Sequence, residues 1–284
     1  MRDTIFDRAR LATAAMLLGV AGIAQAAPPT ADETQPAATD AQEPQPPPAQ
    51  TELAPPSKKK WEFATLGYVW LAGAWGETDV VGPAEPVDLD LPFGKVLKAF
   101  KFAFMGAADA RRDRIVALGD LTFIHLDANE GIGIRDPDFL EAELDSRTAE
   151  ITLVGGYRVV NDGPVKVDLL AGGRMNFFKT TLQLDGPNGS LDGSKKEQWL
   201  DPLIAARIQA PLGGKWGFAA YGDLGGIIFG SDVTWQLAPG VTYQINHKMS
   251  VGLGWRYYKV NYDHGDFLYN IHQSGPLITF RTAI

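Results

Sequence analysis

The stretch Gly217–Val260, GFAAYGDLGGIIFGSDVTWQLAPGVTYQINHKMSVGLGWRYYKV, is rich in glycine and aromatic residues, yet it carries Asp223 and Arg256 in its middle. A soluble core strand rarely holds such charges, and a membrane helix holds them at still greater cost. Splitting each segment by parity removes the contradiction. In MSVGLGWRYY, Val251, Leu253, Trp255 and Tyr257 share one face, while Ser250, Gly252, Gly254, Arg256 and Tyr258 share the other. DVTWQLAPGVTYQ divides the same way, with Trp235, Leu237, Val241 and Tyr243 against Thr234, Gln236 and Thr242. So does VKVDLLAGGRMNF, with Val167, Leu169 and Met175 against Lys166, Asp168, Arg174 and Asn176. Successive strand side chains point to opposite faces, so each segment reads as a strand with one apolar and one charged face. These segments also outrun the usual strand of about 5–6 residues.

Long two-faced strands ending in aromatics fit a sheet that stands in lipid with its polar face turned inward. In lipid such a sheet must close on itself, because an open edge leaves backbone groups unpaired. The expected fold is therefore all-β: a closed antiparallel transmembrane barrel. Turn clusters mark ten strands, at about 63–76, 100–110, 113–127, 146–160, 164–183, 197–210, 215–229, 232–245, 249–262 and 268–281. The count is even; eight or twelve strands also fit the ambiguous ends. Short connections (RRD, VNDG, LGGK, NHK) alternate with longer ones at 77–99, 128–145 and 184–196. In outer-membrane barrels the short turns are periplasmic and the long loops extracellular. FGKVLKAFK, from Phe93 to Lys101, has the spacing of a short amphipathic helix within a loop.

The rest of the chain agrees. MRDTIFDRAR, an apolar run and Ala24-Gln25-Ala26 give residues 1–26 the pattern of a secretory signal peptide. Residues 27–60 contain nine prolines and few apolar residues, which predicts a disordered periplasmic arm, either a solvated tether or a spacer to the cell wall. No later segment reaches the roughly 18 apolar residues of a spanning helix. The 284 residues include no cysteine, which removes disulfides, thiolate metal sites and cysteine nucleophiles. A net charge of −8 argues against a nucleic-acid partner.

From WLDPLIAARIQAPLGGKWGFAAYGDLGGIIFGSDVTWQLAPGVTYQIN through GWRYYKVNY and SGPLITF, the sequence resembles the small porin-like outer-membrane barrels of Gram-negative bacteria. The shared pattern is a strand–turn–strand GD-x-GG…GSD-x-TW. FAFMGAADARRDRIVALGDLTFIHLD resembles their early strands, so the likeness spans most of Trp61–Phe280. It implies a barrel in the outer membrane, with lipids, lipopolysaccharide and the barrel-assembly machinery as partners. Such barrels usually end on an aromatic residue, whereas this chain ends TFRTAI with Phe280 four residues inside.

Parity assigns twelve charges to the lumen: Lys101, Asp109, Asp120, Glu150, Arg158, Lys166, Asp168, Arg174, Asp201, Arg207, Asp223 and Arg256. They either line an ion-selective constriction or neutralise one another as a network filling the barrel. Trp216, Trp235, Trp255, Tyr243 and Tyr257 fall where membrane-interface girdles belong, and Trp199 where it packs in the lumen. Of the histidines, His125, His264 and His272 lie near the long-loop ends and His247 lies in a short turn. No G-x-S-x-G or H-E-x-x-H motif accompanies them. No catalytic residue, metal site or cofactor is expected. The functional expectation is a porin-like narrow passive path for small solutes or ions. The alternatives are a plugged, non-conducting barrel acting through its surface loops and, behind both, a lipid-modifying enzyme.

Overall fold

The alternation closes into an antiparallel barrel in the computed structural model, which describes residues 60–79, 86–128, 141–186 and 189–284. The expected signal peptide and the arm, Lys60 aside, lie outside the described residues. Among those residues the elements are β1 (Glu62–Trp70), β2 (Gly73–Thr78), β3 (Val87–Leu91), α1 (Phe93–Ala99), β4 (Phe100–Arg112), β5 (Ile115–Ala128) and β6 (Glu141–Val160). They continue with β7 (Lys166–Gly186), β8 (Gly189–Gly213), β9 (Trp216–Gly226), β10 (Val233–Gln244), β11 (Met249–His264) and β12 (Phe267–Ala283). Ten strands, β1 and β4 to β12, form the wall, each antiparallel to the next, and β1 closes the ring on β12. β2 and β3 stand outside that ring of ten.

Closure requires stagger. Followed along the hydrogen-bonded register from Val154, one route meets β12 at Ala283 and the other at Ile271, twelve residues apart. Twelve over ten strands inclines the wall by about 40°, a usual tilt for a closed barrel. The tight turns at one end use residues that tolerate the left-handed region: Asp113 at φ 59° and Gly214 at φ 56°. We call this the short-turn end.

The wall sorts side chains as parity requires. Leu153, Leu169, Leu200, Ile204, Leu237 and Leu253 are exposed outside, while Thr152, Leu170, Asp201, Leu203, Gln236 and Arg256 are buried inside. The core is thus the lumen itself. Trp70, Leu91, Phe178, Leu182, Trp199, Tyr258, Val260 and Phe267 pack in its long-loop half, and Val116, Val154, Leu170, Leu203 and Ala205 nearer the short turns.

Three connections differ from expectation. The expected loop 184–196 is mostly strand: β7 runs to Gly186 and β8 begins at Gly189, because the same alternation lets the ladder continue. At 21 and 25 residues these strands far exceed the roughly 9–11 that cross a bilayer. Of 128–145, β6 takes the part from Glu141 onward, and residues 129–140 lie outside the described residues. The expected loop 77–99 contains β3 and, where the spacing predicted it, α1. The first strand also breaks. β12 pairs with β1 up to Leu277↔Trp70 and resumes with β2 at Ser274↔Gly73. Pro276, which has no N–H to donate, sits in that interval and accepts from the Leu71 amide at 3.0 Å.

Candidate functional site

The inward face builds three tiers of polar groups across the lumen. Nearest the short turns, Asp168 is buried between two arginines. It accepts from Arg158 Nε at 2.7 Å and from Arg207 Nε at 2.8 Å. Arg207 also faces Asp109 at 4.0 Å, and Arg281 approaches the same carboxylate at 3.4 Å. One chain of charges therefore links β6, β7, β8, β4 and β12.

The middle tier crosses the lumen. Arg174 on β7 and Asp223 on β9 form an ion pair at 2.7 Å with both side chains wholly buried. The guanidinium donates to Thr152 on β6 at 3.1 Å, and its carbon lies 5.0 Å from the centre of the Tyr258 ring on β11. Gln236 on β10 donates to Asp223 at 2.5 Å. From the other side Arg256 lies over the Trp70 ring at 4.4 Å and over Tyr258 at 5.6 Å. It faces Glu150 on β6 at 4.0 Å. β6 and β11 are five strands apart in either direction around a ring of ten, so this pair spans the diameter. Tyr68 on β1 completes the tier, donating to Asp120 at 2.9 Å. Trp70 Nε1 and Arg256 Nε are buried without a protein partner among the described residues, the setting in which ordered water is held.

Above it Asp201 is fully buried. It receives Asn176 Nδ2 at 2.8 Å, the Ser231 amide at 2.6 Å and Trp199 Nε1 at 3.2 Å. Ser231 belongs to the β9–β10 connection, so this carboxylate pins a loop over the lumen. Two cavities flank the middle tier. One of about 270 Å³ toward the short turns meets Asp109, Asp120, Arg207, Arg256 and Arg281. One of about 380 Å³ toward the long loops meets mainly apolar groups, among them Leu91, Met105, Phe178, Leu182 and Ile271.

Ten of the twelve charges expected in the lumen lie in these tiers. The other two sit at the rims. Lys101 is exposed and pairs with Asp127, and it sits in the register shift between Phe100 and Phe102 that ends the simple alternation. Lys166 caps the short turn, bonding the Asn161 and Gly163 carbonyls. Tyr68, Thr152 and Ser231 were not singled out from the sequence; Gln236 was placed on the polar face by parity, and Trp70, expected like the other tryptophans at a membrane-interface girdle, is instead buried in the lumen. Tyr258 and Gln236 do share parity with the charges, which is the signal that locates them. Trp199 packs inside, stacked on Tyr262 at 4.3 Å.

The five interface aromatics all stand outside. Trp216 meets Tyr243 at 4.9 Å, beneath Lys215, near the short turns. Trp235 stacks on Tyr257 at 4.8 Å toward the other end, where Trp75 and His272 join them. Trp255 is half exposed and donates to Ser274 at 2.7 Å. Among the histidines, His125 bonds Asp145 at 3.0 Å, His272 bonds Tyr257 at 2.5 Å and His264 stacks on Tyr262 at 4.8 Å. His125, Asp127 and Asp145 lie close together, but Lys101 already pairs with Asp127 and Arg147 with Asp145.

No family model matches this chain, and no curated protein matches it. Among solved structures it is similar to the translocator domain of autotransporter NalP from Neisseria meningitidis, at 14% identity over 78% of this chain and 88% of that one, with a TM-score of 0.41. It is similar to the outer membrane protease OmpT from Escherichia coli at 10% identity, covering 80% of this chain and 97% of that one, with a TM-score of 0.43. Neisserial surface protein A matches at 13% identity, 78% and 96% coverage and a TM-score of 0.29. The fold is that of a closed antiparallel β-barrel with an apolar outer face, and at these identities and TM-scores the likenesses carry no activity over to it.

Proposed function

We propose that this chain is an outer-membrane barrel held shut at mid-height, whose long-loop chamber takes up small apolar molecules and which forms no standing ion channel. The observation that carries this reading is the middle tier, where Glu150–Arg256 spans the diameter beside a wholly buried Arg174–Asp223 pair. The porin-like path expected from the sequence would need that tier to part. Buried pairs of this kind resist parting, because each ion alone in a dry interior costs several kcal/mol. The apolar outer band and its two groups of aromatics support a place in the outer membrane. The short-turn end then faces the periplasm, where the 27–60 arm would lie. The role is non-catalytic, with His125 and His272 engaged by Asp145 and Tyr257 on the outer face of the wall.

Planar-bilayer recording of refolded residues 27–284 tests the closure. The native protein should insert and stay electrically silent, whereas the double variant Glu150→Ala, Arg256→Ala should show discrete openings. Steady openings from the native protein would overturn the reading. Uptake is tested with an apolar naphthylamine dye, whose emission should rise saturably with native protein. The rise should shrink when Ala74→Phe and Ala103→Phe fill the chamber.

A further inference from the structure

The wall is continuous at the short-turn end and interrupted at the other. Pairing between β1 and β4 stops at Gly67↔Gly106. Beyond that point Phe100–Met105 of β4 remains bonded to β5, but among the described residues no strand pairs with its other edge. The first strand has gone elsewhere: β2 stays on β12 and β3 folds back onto β2. Among the described residues the seven-residue α1 is what connects the two sides of this interval. Wall backbone facing hydrocarbon without a strand partner is costly, so the seam needs a physical account.

The large chamber supplies one. It is bounded by the buried Leu182 and Ile271 and equally by Val69, on the outer face of β1, and Leu97 of α1, which are 52% and 58% exposed. The chamber thus reaches through the wall at the seam. Just outside, Phe102 and Phe104 of β4 are also more than half exposed, so apolar surface runs unbroken from the lipid face into the lumen. The height is set by neighbours: Phe104 pairs with Phe123, whereas Phe102 pairs with His125, beside Asp145 and Arg147. That change from apolar to charged marks the hydrocarbon–headgroup boundary. Lys95 and Lys98 of α1 are exposed at the same seam. The chamber's 380 Å³ compares with about 150 Å³ for an apolar cavity that holds one benzene ring, so a flexible alkyl chain fits where a rigid ring would underfill it.

We infer that the seam admits an alkyl chain of a membrane amphiphile sideways from the bilayer into the chamber, its polar head staying outside near Lys95, Lys98 and Arg147. This rests on the chamber reading above and adds the ligand class and the route. Trp70 lines the chamber and is buried from outside, so it can report the chain. The experiment uses residues 27–284 with six of the seven tryptophans changed to Phe, retaining Trp70, Trp199 or Trp255 in turn, in vesicles of phospholipid brominated on its acyl chains. Bromine quenches indole only near contact. Trp70 should lose emission comparably to the outward Trp255, Trp199 should keep its emission, and adding Ala103→Phe should restore Trp70. If brominated phospholipid leaves Trp70 bright while brominated free fatty acid added from water quenches it, the lateral route is overturned and the chamber stands. If neither quenches it, the chamber reading falls as well. Should the multiple replacement fail to fold, the native sequence labelled with 5-fluorotryptophan gives the same comparison. Spin-labelled acyl chains should then broaden the Trp70 resonance, identified through Trp70→Phe, and an unbroadened resonance overturns the inference.

Discussion

Replacing Arg174 with methionine should cost the folded barrel about 3–5 kcal/mol, the usual penalty for removing one partner of a buried ion pair. The side chain is wholly buried, and its loss leaves the Asp223 carboxylate in the lumen with only the neutral groups of Gln236 and Tyr221 beside it among the described residues. Among the described residues Asp223 Oδ1 is buried without a hydrogen-bond partner, so little capacity exists to absorb the change. Methionine keeps much of the volume, which confines the effect to charge. The double variant Arg174→Met, Asp223→Leu should recover most of the loss, since exchanging both partners for apolar groups is often nearly neutral. Urea titration of the protein refolded into vesicles measures both. A single variant within about 1 kcal/mol of native would show that water reaches the pair and that the plug is not dry.

On the opposite face, Leu153→Arg should destabilise by about 2–4 kcal/mol in the same titration, the depth-dependent cost of a cation at the bilayer midplane. Leu153 is 65% exposed and stands on β6 between outward Tyr157 and outward Arg147. It is thus in the middle of the apolar band. The comparison that gives the value meaning is Arg147→Leu, a change of charge at the band's edge, which should move stability by less than about 1 kcal/mol. Equal effects at both positions would mean that the band does not sit in hydrocarbon.

The sequence by itself determined the closed antiparallel barrel and the two faces of its middle strands, and it pointed to ten strands while leaving eight or twelve open at the ends. Side chains along a strand alternate strictly, so one misplaced residue in Gly217–Val260 would have put Arg256 in lipid. Local chemistry of the same kind placed the tight turns and the short helix Phe93–Ala99. Ten of the twelve inward charges follow from parity alone, whereas Lys101 escapes it through a register shift that only pairing with β5 reveals. Which charges meet was settled by tertiary structure. Arg256 and Glu150 are 106 positions apart and face each other because a ring of ten strands with a stagger of twelve brings opposite walls to one height. The charges meeting across the lumen, the pinned Asp201 and the neutral partners Tyr68 and Gln236 depend on that geometry. The break at Leu71–Ala72 is the clearest case. Residues 63–76 read as one strand, but the ladder to the far terminal strand is interrupted between its halves, opposite Pro276, which has no N–H to offer there, and the seam begins where β1 leaves β4.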